Sequence, residues 1–194
     1  DPIETLRKAA EQGNADAQYD FGVLYANGKG GVPKDHAEAL KWFRKAAEQG
    51  HAQAQFDLVM PYAFGFGVPK DNAEAITWCR KAAEQGHAEA QAYLGRIYDK
   101  GDGVPKDAAE ALKWFRKSAE QGDSYGQLKL GTMYANGEGV PEDDAQAFVW
   151  FSVAAAVGGE VARERRDSMK ADLAPSEITK GQKMAKDIFK QIRQ

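Results

Sequence analysis

Ser124 is the residue whose neighbours in the sequence most resemble a covalent catalytic motif. It lies in the string Gly-Asp-Ser-Tyr-Gly at residues 122–126, which has the G-x-S-x-G spacing of a nucleophile elbow. That elbow needs a strand before the serine and a helix after it, whereas a helical pattern precedes Ser124. The equivalent slot at residues 50–54 reads Gly-His-Ala-Gln-Ala and contains no serine. We therefore expect Ser124 not to be a catalytic nucleophile.

One cysteine and three histidines are the residues that could bind a metal or supply a reactive thiol. The single cysteine, Cys79, excludes an intrachain disulfide framework, and it occupies a position where equivalent segments carry phenylalanine. We interpret it as a packed core thiol rather than a reactive one. The histidines form no His-x-x-x-His pair, and the glycine-rich loops lack the Gly-Lys-Ser/Thr of a phosphate-binding loop. The sequence accordingly predicts no metal site and no cofactor.

The elements that must position any site follow from an internal period. All four tryptophans are spaced 36 residues apart, at Trp42, Trp78, Trp114 and Trp150. A block of the form Lys-Ala/Ser-Ala-Glu-Gln-Gly recurs beside them and once before them, at residues 8–13, 45–50, 81–86 and 117–122. A fixed period of this length is typical of stacked repeats, in which each repeat packs mainly on its neighbours. We therefore predict an all-α solenoid of helix pairs.

The period predicts a repeat array over residues 1–159 and a C-terminal cap over residues 160–194. The array consists of a leading half-repeat and four full repeats, with the bounds 1–13, 14–50, 51–86, 87–122 and 123–158. Each full repeat has a first helix (helix A), a loop containing Gly-x-Gly-Val-Pro, and a second helix (helix B). Helix B begins each time at an aspartate with Glu or Gln three residues on, which predicts a capping box.

Two helices, at about 160–172 and 175–192, are expected to form the cap. The second carries apolar residues at helical spacing on an otherwise charged sequence, namely Ile178, Ile188, Phe189 and Ile192. We expect residues 160–192 to cover the apolar edge of the last helix B around Val149, Phe151 and Val153.

Helix A of the second repeat departs from the pattern. Val59 replaces a glycine of the other repeats, and Pro61 replaces a large aliphatic residue. Because a proline inside a helix removes a backbone hydrogen bond, we expect this helix to be bent or broken near Asp57–Pro61. The sequence leaves two interpretations open, a tolerated structural defect and a functional bend.

The repeat unit at residues 50–86 resembles the Sel1-like repeat, a relative of the tetratricopeptide repeat. The likeness covers residues 1–158 and recurs four times. The resemblance implies a right-handed solenoid of paired antiparallel helices with the A helices on the concave side. It also implies an adaptor or scaffold that binds a protein or peptide and has no catalytic activity. The alternative is a hydrolase-like or β-lactam-binding enzyme, which cysteine-rich relatives of this repeat suggest. This chain lacks their paired cysteines and any Ser-x-x-Lys motif.

Candidate partner-binding residues are carried over from the related tetratricopeptide fold, where ligands contact helix A beside its packing residues. In repeats one and two they are Asp16, Tyr19, Val23, Asn27, Gln53, Phe56, Met60 and Phe64. In repeats three and four they are Glu89, Arg96, Asp99, Lys100, Tyr125, Leu128, Thr132 and Asn136. We expect apolar side chains of a bound segment over the first two repeats and a polar or charged end over the third. The competing interpretation is that Phe56 and Phe64 only pack around the bend at Pro61.

Charge and hydropathy restrict the partner and the compartment less closely than the repeats restrict the fold. A net charge of −3 gives no general attraction to nucleic acid, and no apolar run is long enough to insert in a membrane. We expect a monomer. The compartment stays open between the bacterial periplasm or exterior, after removal of a leader, and the cytoplasm.

Overall fold

The computed structural model describes residues 1–193 and contains twelve α-helices and no strand in that range. The helices of the first three repeats and the half-repeat are α1 (Pro2–Glu11), α2 (Ala15–Asn27), α3 (His36–Glu48), α4 (Ala52–Asp57), α5 (Val59–Phe64), α6 (Asn72–Glu84), α7 (Ala88–Lys100) and α8 (Ala108–Glu120). The remaining helices are α9 (Ser124–Asn136), α10 (Asp144–Ala156), α11 (Glu160–Met169) and α12 (Pro175–Ile192). The all-α class predicted from the sequence is confirmed.

The chain forms two compact units, Asp1–Ala90 and residues 91–194, of which Gln194 lies outside the described residues. In the first unit, α1, α2, α3 and α4 pack consecutively, and α6 packs on α4 and α5. In the second unit, α9 packs between α8 and α10, and α10 also contacts α11 and α12. Most helices bury one face against their neighbours, as expected of amphipathic repeat helices, whereas α10 is buried on several sides.

Each helix B begins at the expected aspartate, but the capping box is only half formed. The Asp35 carboxylate accepts a hydrogen bond from the Glu38 N–H at 3.0 Å, and the same bond is present at Asp71, Asp107 and Asp143. The reciprocal bond is replaced, because the Asp35 N–H donates instead to the Tyr25 carbonyl at the end of helix A. The Glu38 carboxylate is therefore left to pair with Lys41 at 2.8 Å.

A bond of this kind from the capping aspartate to a tyrosine carbonyl joins the two helices of all four repeats. The equivalents are Asp71 to Tyr62, Asp107 to Tyr98 and Asp143 to Tyr134. Gly28 makes the preceding turn possible, because it ends α2 at a φ of 65° that side-chain-bearing residues rarely adopt.

The interruption expected near Pro61 is confirmed. The first helix of repeat two divides into α4, ending at Asp57, and α5, beginning at Val59, with Leu58 between them. Pro61 thereby falls in the first turn of α5, where a backbone N–H has no intrahelical acceptor and its loss costs little. The chain continues without strain because Leu58 itself keeps right-handed helical angles.

The cap covers much of the predicted edge. Val149 and Val153 form one apolar cluster with Ala185 of α12, against which Met184, Ile188 and Ile192 pack. The cap also reaches Phe151, because the Arg165 guanidinium of α11 lies 5.9 Å from the centre of the Phe151 ring, which also lies against Gly131 of α9. Phe148 of α10 also meets α12, at Gly181. The first capping helix ends at Met169 rather than Asp172, and Gln194 of the predicted cap lies outside the described residues.

Candidate functional site

The candidate site is the surface that α2, α4 and α5 form together with Phe66 in the first unit, here called the A-helix face. It carries three of the six large apolar side chains that are exposed within residues 1–193. Met60 is 46% exposed, and Phe64 and Phe66 are 55% and 63% exposed. The two phenylalanine rings stack with their centroids 5.7 Å apart. Large apolar side chains grouped at the surface are typical of interaction sites. Phe66 was not among the candidates predicted from the sequence. One signal could have identified it, because Phe66 is aromatic at a loop position where the other repeats have Lys29, Asp102 or Glu138.

Tyr19 links the two A helices of this face. Its hydroxyl donates to the Asp57 carboxylate at 3.2 Å, and its ring stacks on His51 with centroids 4.5 Å apart. Burial, followed by the negative charge of Asp57, raises the pKa of Tyr19 to about 12. Gln53 donates to the second oxygen of Asp57 at 2.9 Å. Tyr19 and Gln53 therefore contribute to packing between repeats as well as to the surface.

Two histidines act as helix caps on this face rather than as metal ligands. The Nδ1 of His51 accepts from the Ala54 N–H at 3.1 Å, and His87 does the same for Ala90 at 3.2 Å. Each ring also packs on an aromatic side chain of the preceding helix A, and for His87 that side chain is Phe56. Phe56 thus packs between repeats, whereas Phe64 packs on Phe66 and stays exposed.

The remaining candidates of the first unit lie at the surface. Asp16, Asn27 and Glu89 are exposed, and Val23 is partly buried. Asn27 donates to the Val23 carbonyl at 2.9 Å, within its own helix.

In the second unit the predicted residues are held by contacts within the unit. Asp99 pairs with Lys129 at 3.1 Å, and the guanidinium of Arg96 lies 4.4 Å from the centre of the Tyr93 ring. The Thr132 hydroxyl donates to the Leu128 carbonyl at 2.9 Å. The other members lie at or near the surface, namely Lys100, Tyr125 and Asn136. Contacts with neighbouring residues thus account for several of these predicted residues without a ligand.

The residues that could have carried covalent chemistry occupy structural positions. Ser124 is the first residue of α9, directly after the capping residue Asp123, and α8 precedes this turn instead of a strand. Cys79 is fully buried in α6, and its thiol contacts the Ala90 carbonyl with the sulfur 3.4 Å from the oxygen. The prediction of a packed core thiol is confirmed. Within residues 1–193, no group of three or more His, Cys, Asp or Glu side chains is placed to hold a metal ion.

No helix in residues 1–193 is both long and apolar enough to cross a membrane.

The fold defines an α/α repeat protein built of stacked helix pairs. The Sel1 repeat family model matches five segments of the chain, at residues 6–14, 15–51, 52–87, 88–123 and 124–158. Because these segments cover most of the chain, it belongs to the Sel1 repeat family. No curated protein sequence matched the chain. Proteins of this family are generally scaffolds for protein–protein interaction and are typically non-catalytic.

Solved structures agree with this assignment. A protective antigen present in uropathogenic Escherichia coli strains, which displays an SLR fold, is 38% identical with a TM-score of 0.83 over 98% of this chain. A Sel1 repeat protein from Oxalobacter formigenes is 38% identical with a TM-score of 0.81 over 86% of this chain. The matches span only 41% and 48% of those two chains.

A cysteine-rich relative bears on the enzymatic alternative. Helicobacter pylori cysteine rich protein B is 27% identical with a TM-score of 0.53, over 68% of this chain and 94% of that one. The present chain contains only Cys79, so the cysteine-rich character is not shared.

Proposed function

We propose that this chain is a non-catalytic binding module that holds a protein or peptide segment on its A-helix face. The observation that carries the proposal is the exposed apolar group on that face, formed by Met60, Phe64 and Phe66. Packing within the first unit leaves these three side chains about half exposed or more, although the same unit buries Phe21, Phe43 and Trp42 almost completely. Burial of aromatic and methionine side chains is what commonly supplies binding energy at protein interfaces.

The opposite surface is a poorer candidate. The outward residues of α3 form ion pairs within their own helix, Lys41 with Glu38 at 2.8 Å and Arg44 with Glu48 at 3.1 Å. Such intrahelical pairs satisfy the charges and solvate the helix without offering apolar area. A segment that needs to bury apolar side chains is therefore better accommodated by the A-helix face.

Site-specific photo-crosslinking tests this assignment. A benzophenone amino acid would replace Met60 on the A-helix face, and in a matched control it would replace Lys41 on the outer face. Both proteins would be illuminated in a lysate of the source organism, and the captured partners identified by mass spectrometry. We expect a discrete partner cross-linked from position 60 and not from position 41. The same partner cross-linked only from position 41 would contradict the proposal.

A further inference from the structure

A pocket of about 590 Å³ opens beside Pro61 in the first unit. Its floor is part of α3, where His36, Ala39, Leu40 and Phe43 line it. Ala26 of α2 lies on one side, and Asp57 and Pro61 lie on the other. The residues that follow α5, including Phe66, complete the lining. A pocket of this volume and mostly apolar lining is large enough for a bulky side chain or a small ligand.

The fourth repeat shows why the pocket exists. Met133 is the equivalent of Pro61 by the repeat period, and it is 1% exposed. It packs on Ala111, Phe115 and Leu112 of α8, which are the equivalents of the pocket floor. The short ring of Pro61 does not extend as far as a methionine side chain. The pocket therefore corresponds to the space that an apolar side chain fills in the fourth repeat.

The fourth repeat also carries a cation that the second repeat lacks. The Lys129 ammonium lies 3.1 Å from the Asp99 carboxylate, so that an ion pair joins α9 to α7. The equivalents in the first unit are Asp57 for Lys129 and Ala26 for Asp99, and both line the pocket. The second repeat thus has a carboxylate at the position of the lysine.

Asp57 is held by neutral donors only. It accepts hydrogen bonds from the Tyr19 hydroxyl at 3.2 Å and from the Gln53 amide at 2.9 Å. Within residues 1–193 no lysine or arginine forms an ion pair with it. The sequences of α2, α4 and α5 contain Asp16 and Asp20 in addition, and no lysine or arginine. The charge of the A-helix face therefore favours a cationic ligand and disfavours an anionic one.

We propose that this pocket binds a large apolar side chain of the segment held on the A-helix face, and that a lysine or arginine next to it in that segment pairs with Asp57. The bound segment would supply the two groups that Met133 and Lys129 supply within the fourth repeat. This inference rests on the proposed function and adds the chemistry of the partner, a segment in which a bulky apolar residue adjoins a basic one.

The first experiment uses a defined probe on the whole chain. Acetyl-Phe-Lys-amide would be titrated to millimolar concentration into isotope-labelled protein, with binding followed by two-dimensional ¹H–¹⁵N NMR. We expect saturable shifts at the amides of Ala26, Leu40 and Gly65, and much smaller ones with the matched probes acetyl-Phe-Glu-amide and acetyl-Ala-Lys-amide. Absence of shifts at the pocket with acetyl-Phe-Lys-amide, or equal shifts with acetyl-Phe-Glu-amide, would overturn the proposal.

Two substitutions at Pro61 distinguish the effect of filling the pocket from the effect of removing the proline. Pro61→Met should fill the pocket as Met133 does in the fourth repeat and abolish binding of acetyl-Phe-Lys-amide. Pro61→Ala also removes the proline but leaves the space, so it should retain binding. Circular dichroism would establish that both variants keep the helical content of the parent. Loss of binding in both variants, or in neither, contradicts the assignment.

A third variant tests the charge. Asp57→Asn keeps an acceptor for Tyr19 but removes the negative charge, so it should bind acetyl-Phe-Lys-amide about fivefold more weakly. The same variant should bind the neutral probe acetyl-Phe-amide as the parent does. Equal affinity of the parent and Asp57→Asn for the lysine probe would overturn the pairing with Asp57.

The cross-linking experiment distinguishes failure of this inference from failure of the proposed function. If Pro61→Met captures the same partner from position 60 with parental efficiency, the pocket assignment is wrong and the A-helix face stands. If the partner is captured only from position 41, the proposed function itself is wrong.

Discussion

Gly22 lies so close to the ring of Phe43 that a Cβ atom on the glycine would stand 2.8 Å from two ring carbons. This contact leaves no room for any side chain at position 22. The second unit repeats the relationship in the pairs Gly95–Phe115 and Gly131–Phe151. The second repeat has Val59 and Cys79 at the equivalent positions, both fully buried. In the second repeat, a residue larger than glycine on helix A therefore accompanies a residue smaller than phenylalanine on helix B.

Exchanging this pair tests whether the two positions compensate. Val59→Gly should leave a cavity and Cys79→Phe should overpack the core, each destabilising the protein by about 1–3 kcal/mol. The double variant recreates the glycine–phenylalanine pair of the other repeats, so its loss should be smaller than the sum by about 1 kcal/mol or more. Denaturant unfolding of the four proteins measures this difference.

The matched control for the exchange combines Val59→Gly with Cys79→Ala. Alanine offers no ring to fill the space that the glycine leaves, so this double variant should show no recovery. Additive losses in the glycine–phenylalanine variant would show that the two positions are independent.

A series of glutamine pairs, each with an exposed donor and a buried acceptor, provides a second prediction. The side chains of Gln49, Gln85 and Gln121, each at the end of a helix B, donate at 2.7 Å to Gln18, Gln55 and Gln91 respectively. Val157 stands at the next such position, and the Oε1 of the buried Gln127 has no hydrogen-bond partner within residues 1–193.

Val157→Gln should supply the missing donor to Gln127. A net gain of about 1 kcal/mol in the free energy of unfolding is expected, because a buried acceptor would be satisfied. Val157→Met is the matched control, since it has similar length and no donor, and it should leave the stability near that of the parent. Equal midpoints of denaturation for the two variants would contradict the expected hydrogen bond.

The repeat period predicted the helices and loops well because the residues that define them act locally. The glycine, proline and aspartate positions set the start and end of each helix through the backbone alone, and the break at Leu58 followed from Pro61. Contacts between repeats were not predictable in the same way. The contact of Phe148 with α12 at Gly181 and the packing of Phe56 on His87 depend on neighbours that the period does not specify. The pocket beside Pro61 was missed for the same reason, since it required knowing what Met133 contacts.

A third prediction concerns a buried hydroxyl. Ser118 is fully buried, and its Oγ has no hydrogen-bond partner within the described chain. A Cβ atom on Gly126 would lie 2.8 Å from that oxygen. The equivalent pair in the first unit is Ala46 and Ala54, both fully buried.

Ser118→Ala should stabilise the second unit by about 1 kcal/mol, because it removes a buried hydroxyl that has no hydrogen-bond partner within the described chain. Gly126→Ala should destabilise the protein with or without that change, since its Cβ atom would also lie 2.9 Å from the Ser118 Cβ and 3.0 Å from the Ala119 nitrogen. Thermal unfolding of the parent, both single variants and the double variant provides the comparison. A Ser118→Ala variant no more stable than the parent, or a double variant more stable than Ser118→Ala alone, would contradict these expectations.

The final prediction is the pH dependence of the contact between Tyr19 and Asp57. Burial and the neighbouring carboxylate raise the pKa of Tyr19 to about 12, from an ordinary value of 10.0. The folded protein therefore favours the protonated hydroxyl. The stability that this group contributes is present in full below pH 10 and is lost as the pH rises through about 12.

Ultraviolet difference titration of the tyrosines measures this ionisation. One of the seven tyrosines should ionise near pH 12, and that step should be missing in Tyr19→Phe. Asp57→Asn should lower the midpoint only part of the way to the ordinary value, because burial is the largest cause and remains. Circular dichroism at each pH would show over which pH range the protein is folded, and only that part of the titration would be used. If the difference between the parent and Tyr19→Phe appears near pH 10 instead, the hydroxyl is solvated and its bond to Asp57 does not hold the two A helices together.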